Sequence, residues 1–234
     1  MHIIPVIDLL DGRVVRAVKG ERAAYRPIES LLCPGAAPLS LADRLCEHCA
    51  TDTLYLADLD ALQGRAAQLD VLRALLDADP ARQLWLDAGF ADATASARLL
   101  AALGPAAARV TPVYGSESLR TREALARCFA PPARAWLSLD SRGGAPLDPA
   151  GIRACPALWP ARLIVMTLER VGSGAGPDLE AFAAVRRAAP RATIAGAGGI
   201  RDEADLAACA AAGAQAWLLA SALHDGRIAP RHRM

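Results

Sequence analysis

The chain has 234 residues, 53% of them hydrophobic, and a formal net charge of +1. That length suits one large domain or two small ones, and the near-zero charge gives no electrostatic footprint for nucleic acid. No apolar run approaches the ~20 residues of a membrane helix, Met1 leads straight into a strand-like run with no signal segment, and six cysteines in a chain this long do not read as a disulfide framework, so a cytoplasmic setting is expected.

The first element is HIIPVID at residues 2–8, an apolar run that Asp8 closes. Unbroken apolarity marks a strand buried on both faces. Similar runs follow at residues 53–59, 83–89, 109–114, 134–140, 161–167, 192–198 and 214–220, and helix-like segments separate them. Ser40 with Asp43 reads as a capping pair opening LADRLCEHC. On that helix Leu41, Leu45 and Cys49 share an apolar face, flanked by Ala42 and Cys46. CEHC, residues 46–49, therefore reads as core thiols; no second Cys pair stands at ligand spacing, and the four histidines form no metal pattern. Leu69, Leu72 and Leu76 recur at helical spacing until Pro80. Asp202 opens DEADLAACAAAG and Gly213 closes it.

Strand and helix alternating eight times predict one (β/α)8 TIM barrel over residues 1–234. A doubly wound open sheet needs a glycine-rich turn after its first strand, and DLLDGRVV does not supply one. The chain also repeats internally. VIDLLDGRVV resembles LSLDSRGGAPL, DAGFADATAS resembles GAGGIRDEAD, and VYGSESL resembles LLASALH. The barrel thus reads as two half-barrels, with Asp8 and Asp140 in equivalent places at the ends of the first and fifth strands.

Active sites of such barrels lie at the C-terminal strand ends. Two carboxylates facing one substrate suit proton transfer, one removing a proton while the other donates one. Small residues gather after the later strands: Gly172 and Ser173, then Gly198 and Gly199, then Ala220 and Ser221. Their backbone N–H groups and a helix N-terminus suit a phosphate. The repeat places a second such site after the third and fourth strands, at Gly89, Gly115 and Ser116. Asp87 stands at its edge, and a carboxylate repels a phosphate dianion. One tight phosphate site is expected, with an amine or another hydrogen-bond donor bound at the far end.

The single lysine, Lys19, follows a loop rather than ending a strand, which argues against a Schiff-base lyase. No nucleotide fingerprint or catalytic elbow is present. Neither a metal nor a cofactor is expected. The expected partner is a small phosphorylated sugar, with no nucleic acid and no membrane; the oligomeric state stays open.

IIPVIDLLDGRVVR, SLDSRGG, Thr167 after the sixth strand, AGGI and ALHDGRI together resemble the HisA/HisF family of histidine biosynthesis, over nearly the whole chain. The resemblance implies a duplicated barrel binding a phosphoribosyl substrate, and in the isomerase version an Amadori rearrangement. By resemblance Asp8 is the base, Asp140 the acid and Thr167 an orienting hydroxyl, though the two aspartate roles are exchangeable. The family isomerase usually carries a glycine triplet after strand three, where this chain has Asp87, Ala88 and Gly89. It usually carries an acidic residue before the glycine after strand six, where this chain has Val171. KGERAAYRPIESLLCP and YLADLDALQGR look more like a HisA-related branch found with methanopterin-type one-carbon carriers. Three functions stay open: a sugar-phosphate isomerase, a related enzyme of one-carbon carrier biosynthesis acting on a singly phosphorylated pentose, and a lysine-dependent lyase or non-catalytic binder.

Overall fold

The first and last strands of the chain are neighbours. His2, Ile3, Ile4 and Pro5 pair in parallel with Ala216, Trp217, Leu218 and Leu219. That pairing closes eight parallel strands into a barrel: β1 (His2–Leu10), β2 (Thr53–Asp58), β3 (Gln83–Asp87), β4 (Val110–Gly115), β5 (Trp136–Arg142), β6 (Arg162–Thr167), β7 (Thr193–Ala197) and β8 (Ala216–Leu219). Each pairs with the next in sequence. The computed structural model describes residues 1–19, 21, 24–132 and 134–232. Among them no helix is long and apolar enough to cross a membrane.

The alternation of side chains along each strand makes two cores. Ile4, Tyr55, Val113, Trp136, Ile164 and Leu218 point into the barrel. Ile3, Leu54, Leu84, Leu137, Leu163 and Ile194 point outward beneath the helices. Strands with both faces covered this way have no use for polar alternation. Inside the barrel the rings of Trp85 and Trp136 lie 4.2 Å apart, and Ala195, Ala197 and Ala216 complete the packing.

The helices over the outer core follow the predicted pattern with two departures. The first helix begins at Pro38, with Ala37 as an N-cap that makes no side-chain bond. Ser40 and Asp43 therefore lie inside the helix instead of capping it. Proline suits the first turn because its missing N–H would be unsatisfied there anyway, and Asp43 accepts from Arg82 Nη2 at 2.6 Å. The apolar face is as read: Leu41, Ala42, Leu45, Cys46 and Cys49 are buried. Burial pushes the Cys46 and Cys49 thiols up to about 11 and about 12.

The second departure is the crossover from β5 to β6, which has no α-helix. It runs through a two-residue strand, Ala145–Pro146, and a short 3₁₀ turn, Pro156–Leu158. Gly143, Gly144, Pro146, Pro149, Gly151, Pro156 and Pro160 crowd this segment; the prolines remove helical N–H donors and the glycines make helical order entropically costly. Ile152, fully buried, and Trp159, whose indole N–H donates to the Ile152 carbonyl at 3.0 Å, cover the outer core instead.

The half-barrel repeat is visible in backbone detail. Asp92 caps the helix Ala93–Leu103 by accepting from the Ala95 N–H, and Asp202 caps Glu203–Ala211 by accepting from the Asp205 N–H. Ahead of each, Gly89 and Gly199 take left-handed φ angles of 65° and 84°.

Candidate active site

A cavity opens at the C-terminal ends of the strands, lined by Asp8, Asp87 and Asp140. Asp8 pairs in register with Ala57, and Ala57 with Asp87, so these two carboxylates stand in one row across three strands. Asp140 rises from β5, on the far side of the eight-stranded ring from β1. Alternation puts all three on inward-facing positions, where the barrel core gives way to the cavity.

Asp140 is 5% exposed and closely held. Ser138 Oγ donates to Asp140 Oδ1 at 2.6 Å. The Asp140 N–H donates to Ser116 Oγ at 2.9 Å, and that hydroxyl donates onward to the Leu147 carbonyl at 2.8 Å. Burial pushes the Asp140 carboxyl well above the usual carboxylate range; the Ser138 bond opposes this, while the charges of Asp87 and Glu117 add to it. Burial, with the Asp87 charge second, pushes Asp8 up to about 7. Tyr55, on β2 between β1 and β3, donates its phenol to Asp87 Oδ2 at 3.1 Å. Burial first, then Asp87, Asp140 and Asp8, push that phenol well above its ordinary range, so it stays a neutral donor among three carboxylates.

The small-residue sector lies beside them. Gly172, Gly198, Gly199, Ala220 and Ser221 line the cavity. Two of these glycines are obligatory by contact. A Cβ on Gly172 would fall 2.1 Å from the Ala17 carbonyl oxygen, and one on Gly199 would fall 2.1 Å from that of Gly176. The loops after β1 and β6 thus touch backbone to backbone, and the Lys19 N–H donates to the Val171 carbonyl at 2.9 Å. The Lys19 side chain is exposed and does not line the cavity, which leaves it poorly placed for a Schiff base.

Five expected site residues lie outside the cavity lining. Ser173 donates its hydroxyl to the Arg170 carbonyl at 2.8 Å. Thr167, 3% exposed, donates to Asp178 Oδ2 at 2.9 Å, while Asp178 Oδ1 caps the helix Leu179–Ala188 by accepting from the Ala181 N–H. Gly89 packs against Leu62, whose Cα would lie 3.2 Å from an added Cβ. Ser116 gives its N–H to the Ser138 carbonyl at 2.8 Å. Gly115 also lies outside the lining but faces Asp140, an added Cβ falling 3.0 Å from its Oδ2. The structure therefore gathers Asp8, Asp87, Asp140 and the glycine sector, and turns the hydroxyls of Thr167, Ser173 and Ser116 to internal bracing.

The sequence reading missed Tyr55, Glu117, Arg142 and Arg227, all of which line the cavity. Tyr55 is hidden within an apolar run. Glu117 was detectable, because the repeat sets VYGSESL against LLASALH and so sets Glu117 against Ala222.

Fold and cavity define the class: a (β/α)8 barrel with an acidic, glycine-flanked site at its C-terminal mouth. The chain belongs to the histidine biosynthesis protein family, the HisA/HisF family, whose profile matches residues 2–229. It is 31% identical, over 97% of its length and 96% of the relative's, to an isomerase of Thermus thermophilus named for an imidazole-4-carboxamide bearing two phosphoribosyl groups. The isomerase of the same name from Cenarchaeum symbiosum is 28% identical over 97% of both chains. An uncharacterized protein of Methanocaldococcus jannaschii is 37% identical over 75 residues, 32% of this chain and 33% of that one.

Proposed function

We propose that this protein is a HisA-like isomerase, converting a phosphorylated aldose-type pentose derivative to the ketose by an Amadori-type rearrangement. The observation that carries the reading is the placement of Asp8 and Asp140 at the ends of opposed strands in one cavity. The near-full-length similarity to two isomerases supports it.

The chemistry needs one acid and one base. A protonated carboxyl gives its proton to the ring oxygen as the C1–O bond breaks, leaving an iminium at C1. A carboxylate then takes the C2 proton to give an enaminol; that proton passes back to C1 while the C2 hydroxyl gives its own proton to the deprotonated acid, so the aminoketose forms and both carboxyls are restored. Asp140, held well above the usual carboxylate range by burial and bonded to Ser138, suits the acid. Asp8, pushed up to about 7, suits a base poised near neutral pH. The phosphate is anchored at Gly172, Gly198, Gly199, Ala220 and Ser221, with Ser173 bracing the loop and Arg227 adding a cation. Thr167 acts through Asp178, fixing the end of β6 against the following helix.

The test is an isomerisation assay by product chromatography with the purified protein, a panel of N-substituted pentosylamine 5-phosphates and the bis-phosphoribosyl imidazole-carboxamide. Turnover of one member, abolished by Asp8→Asn and by Asp140→Asn, is the expected result. Turnover unchanged in both variants would refute the reading.

A further inference from the structure

The repeat allows the two halves of the mouth to be compared position by position. With Asp92 set against Asp202 and Gly89 against Gly199, Asp87 falls against Ala197. The same repeat sets Glu117 against Ala222. All four residues line the one cavity. One half of the mouth therefore presents two carboxylates where the other presents two methyl groups. The serines diverge in the same sense. Ser221 lines the cavity, whereas Ser116 spends its N–H on Ser138 and its hydroxyl on Leu147. The cations are divided too. Arg227 lies over the glycine sector, its Nη1 3.5 Å from where Gly174 would carry a Cβ. Arg142, at the end of β5, also lines the cavity.

We propose that Asp87 and Glu117 are specificity-determining residues that select a substrate with one phosphate, whose opposite end carries an amino group or a similar hydrogen-bond donor, and that exclude bisphosphates. The proposal rests on the isomerase reading, since it takes the glycine sector as the phosphate anchor. The physical ground is the sign of the charge. A second phosphate dianion would enter beside the carboxylates of Asp87 and Glu117, and like charges in a partly desolvated site repel strongly. An amine or aryl-amine N–H meets the same carboxylates as acceptors and gains charge-assisted hydrogen bonds. Specificity then comes from repulsion of one ligand class as much as from attraction of the other.

The test is calorimetric binding at neutral pH of three probes: a pentose 5-phosphate, a pentose 1,5-bisphosphate, and a pentose 5-phosphate bearing an aniline nitrogen at C1. Wild type should bind the aniline derivative at least about tenfold more tightly than the bisphosphate, the scale of one good charged contact. Asp87→Ala with Glu117→Ala, which installs the residues found in the other half, should abolish or invert that preference. Asp87→Asn with Glu117→Gln keeps side-chain size and should act in the same direction if the alanine variant folds poorly. A wild type that binds the bisphosphate as tightly as the aniline derivative overturns the proposal and leaves the isomerase reading intact. Binding of none of the three probes overturns both. A missing isomerase activity with the binding preference present overturns only the isomerase reading.

Discussion

The Tyr55 phenol donates to Asp87 Oδ2 across 3.1 Å, so a neutral hydroxyl from β2 steadies the carboxylate whose charge acts on both Asp8 and Asp140. In those two acids the Asp87 charge comes after burial as a raising influence. Replacing Asp87 by Asn removes that charge at constant size. Asp8 then ionises at lower pH, and the acidic limb of the kcat/KM profile moves to lower pH with it. An unmoved limb would show that burial alone sets the Asp8 proton affinity.

In wild type the profile itself is expected to be bell-shaped. Asp8 as base must be ionised, so activity rises as pH passes through about 7. Asp140 as acid must be protonated, burial raises its carboxyl above the usual carboxylate range, and activity falls again as that proton is lost. Exchange of the two roles would leave the bell but reassign its limbs, which Asp8→Asn and Asp140→Asn separate. Each substitution should lower turnover roughly 10²-fold or more through lost acid–base catalysis, with the circular dichroism spectrum unchanged.

The same burial bears on stability. The folded-state proton affinity of Asp8 exceeds that of an unfolded aspartate, so its contribution is fully favourable below the unfolded pKa near 3.9 and is lost as pH rises through about 7. Asp8→Asn removes the cost of keeping that group ionised in a buried site. Its Tm should exceed that of wild type by a few degrees at pH 8 and match it near pH 4. Scanning calorimetry at the two pH values is the check.

Gly199 makes the glycine sector testable by shape. A Cβ there would sit 2.1 Å from the Gly176 carbonyl oxygen at a φ of 84°. Gly199→Ala should therefore cost about 1–3 kcal/mol of stability through overpacking and backbone strain. It should also weaken pentose 5-phosphate binding by displacing the loop. Gly196→Ala serves as the control, since its Cβ would strike the outward-packed Trp217 ring at 2.2 Å. That variant should lose stability without a selective loss of phosphate affinity.

Thr167 separates a bracing hydroxyl from one that touches substrate. Thr167→Val leaves Asp178 Oδ2 without its 2.9 Å donor and should cost about 1–3 kcal/mol. Thr167→Ser should restore most of it. If Thr167 acts only through Asp178, both variants leave KM for the phosphorylated substrate little changed. A large rise in KM for Thr167→Val, rescued by serine, would place the hydroxyl on the substrate instead.

The sequence by itself determined the barrel and the acids at its mouth. Eight apolar runs can only be strands covered on both faces, and a carboxylate that ends such a run must emerge where the core stops. That logic reached Asp8, Asp87 and Asp140, and the repeat made the first and last of them equivalent. It failed at the fifth crossover and at Ser40. At the fifth crossover a helix was inferred from strand spacing alone, while local prolines and glycines decided otherwise; at Ser40 the helix forms, but Pro38 starts it two residues earlier. Only the tertiary structure decided which polar groups face the cavity and which face the protein. Thr167, Ser173 and Ser116 look like site residues in one dimension, yet each finds a carbonyl or carboxylate partner within the fold, because a buried hydroxyl left unpaired is costly. Tyr55 is the converse case. Its ring belongs to an apolar strand, and nothing in the run around it reveals that its hydroxyl reaches the carboxylate of the neighbouring strand, a contact set by register between chain segments 32 positions apart.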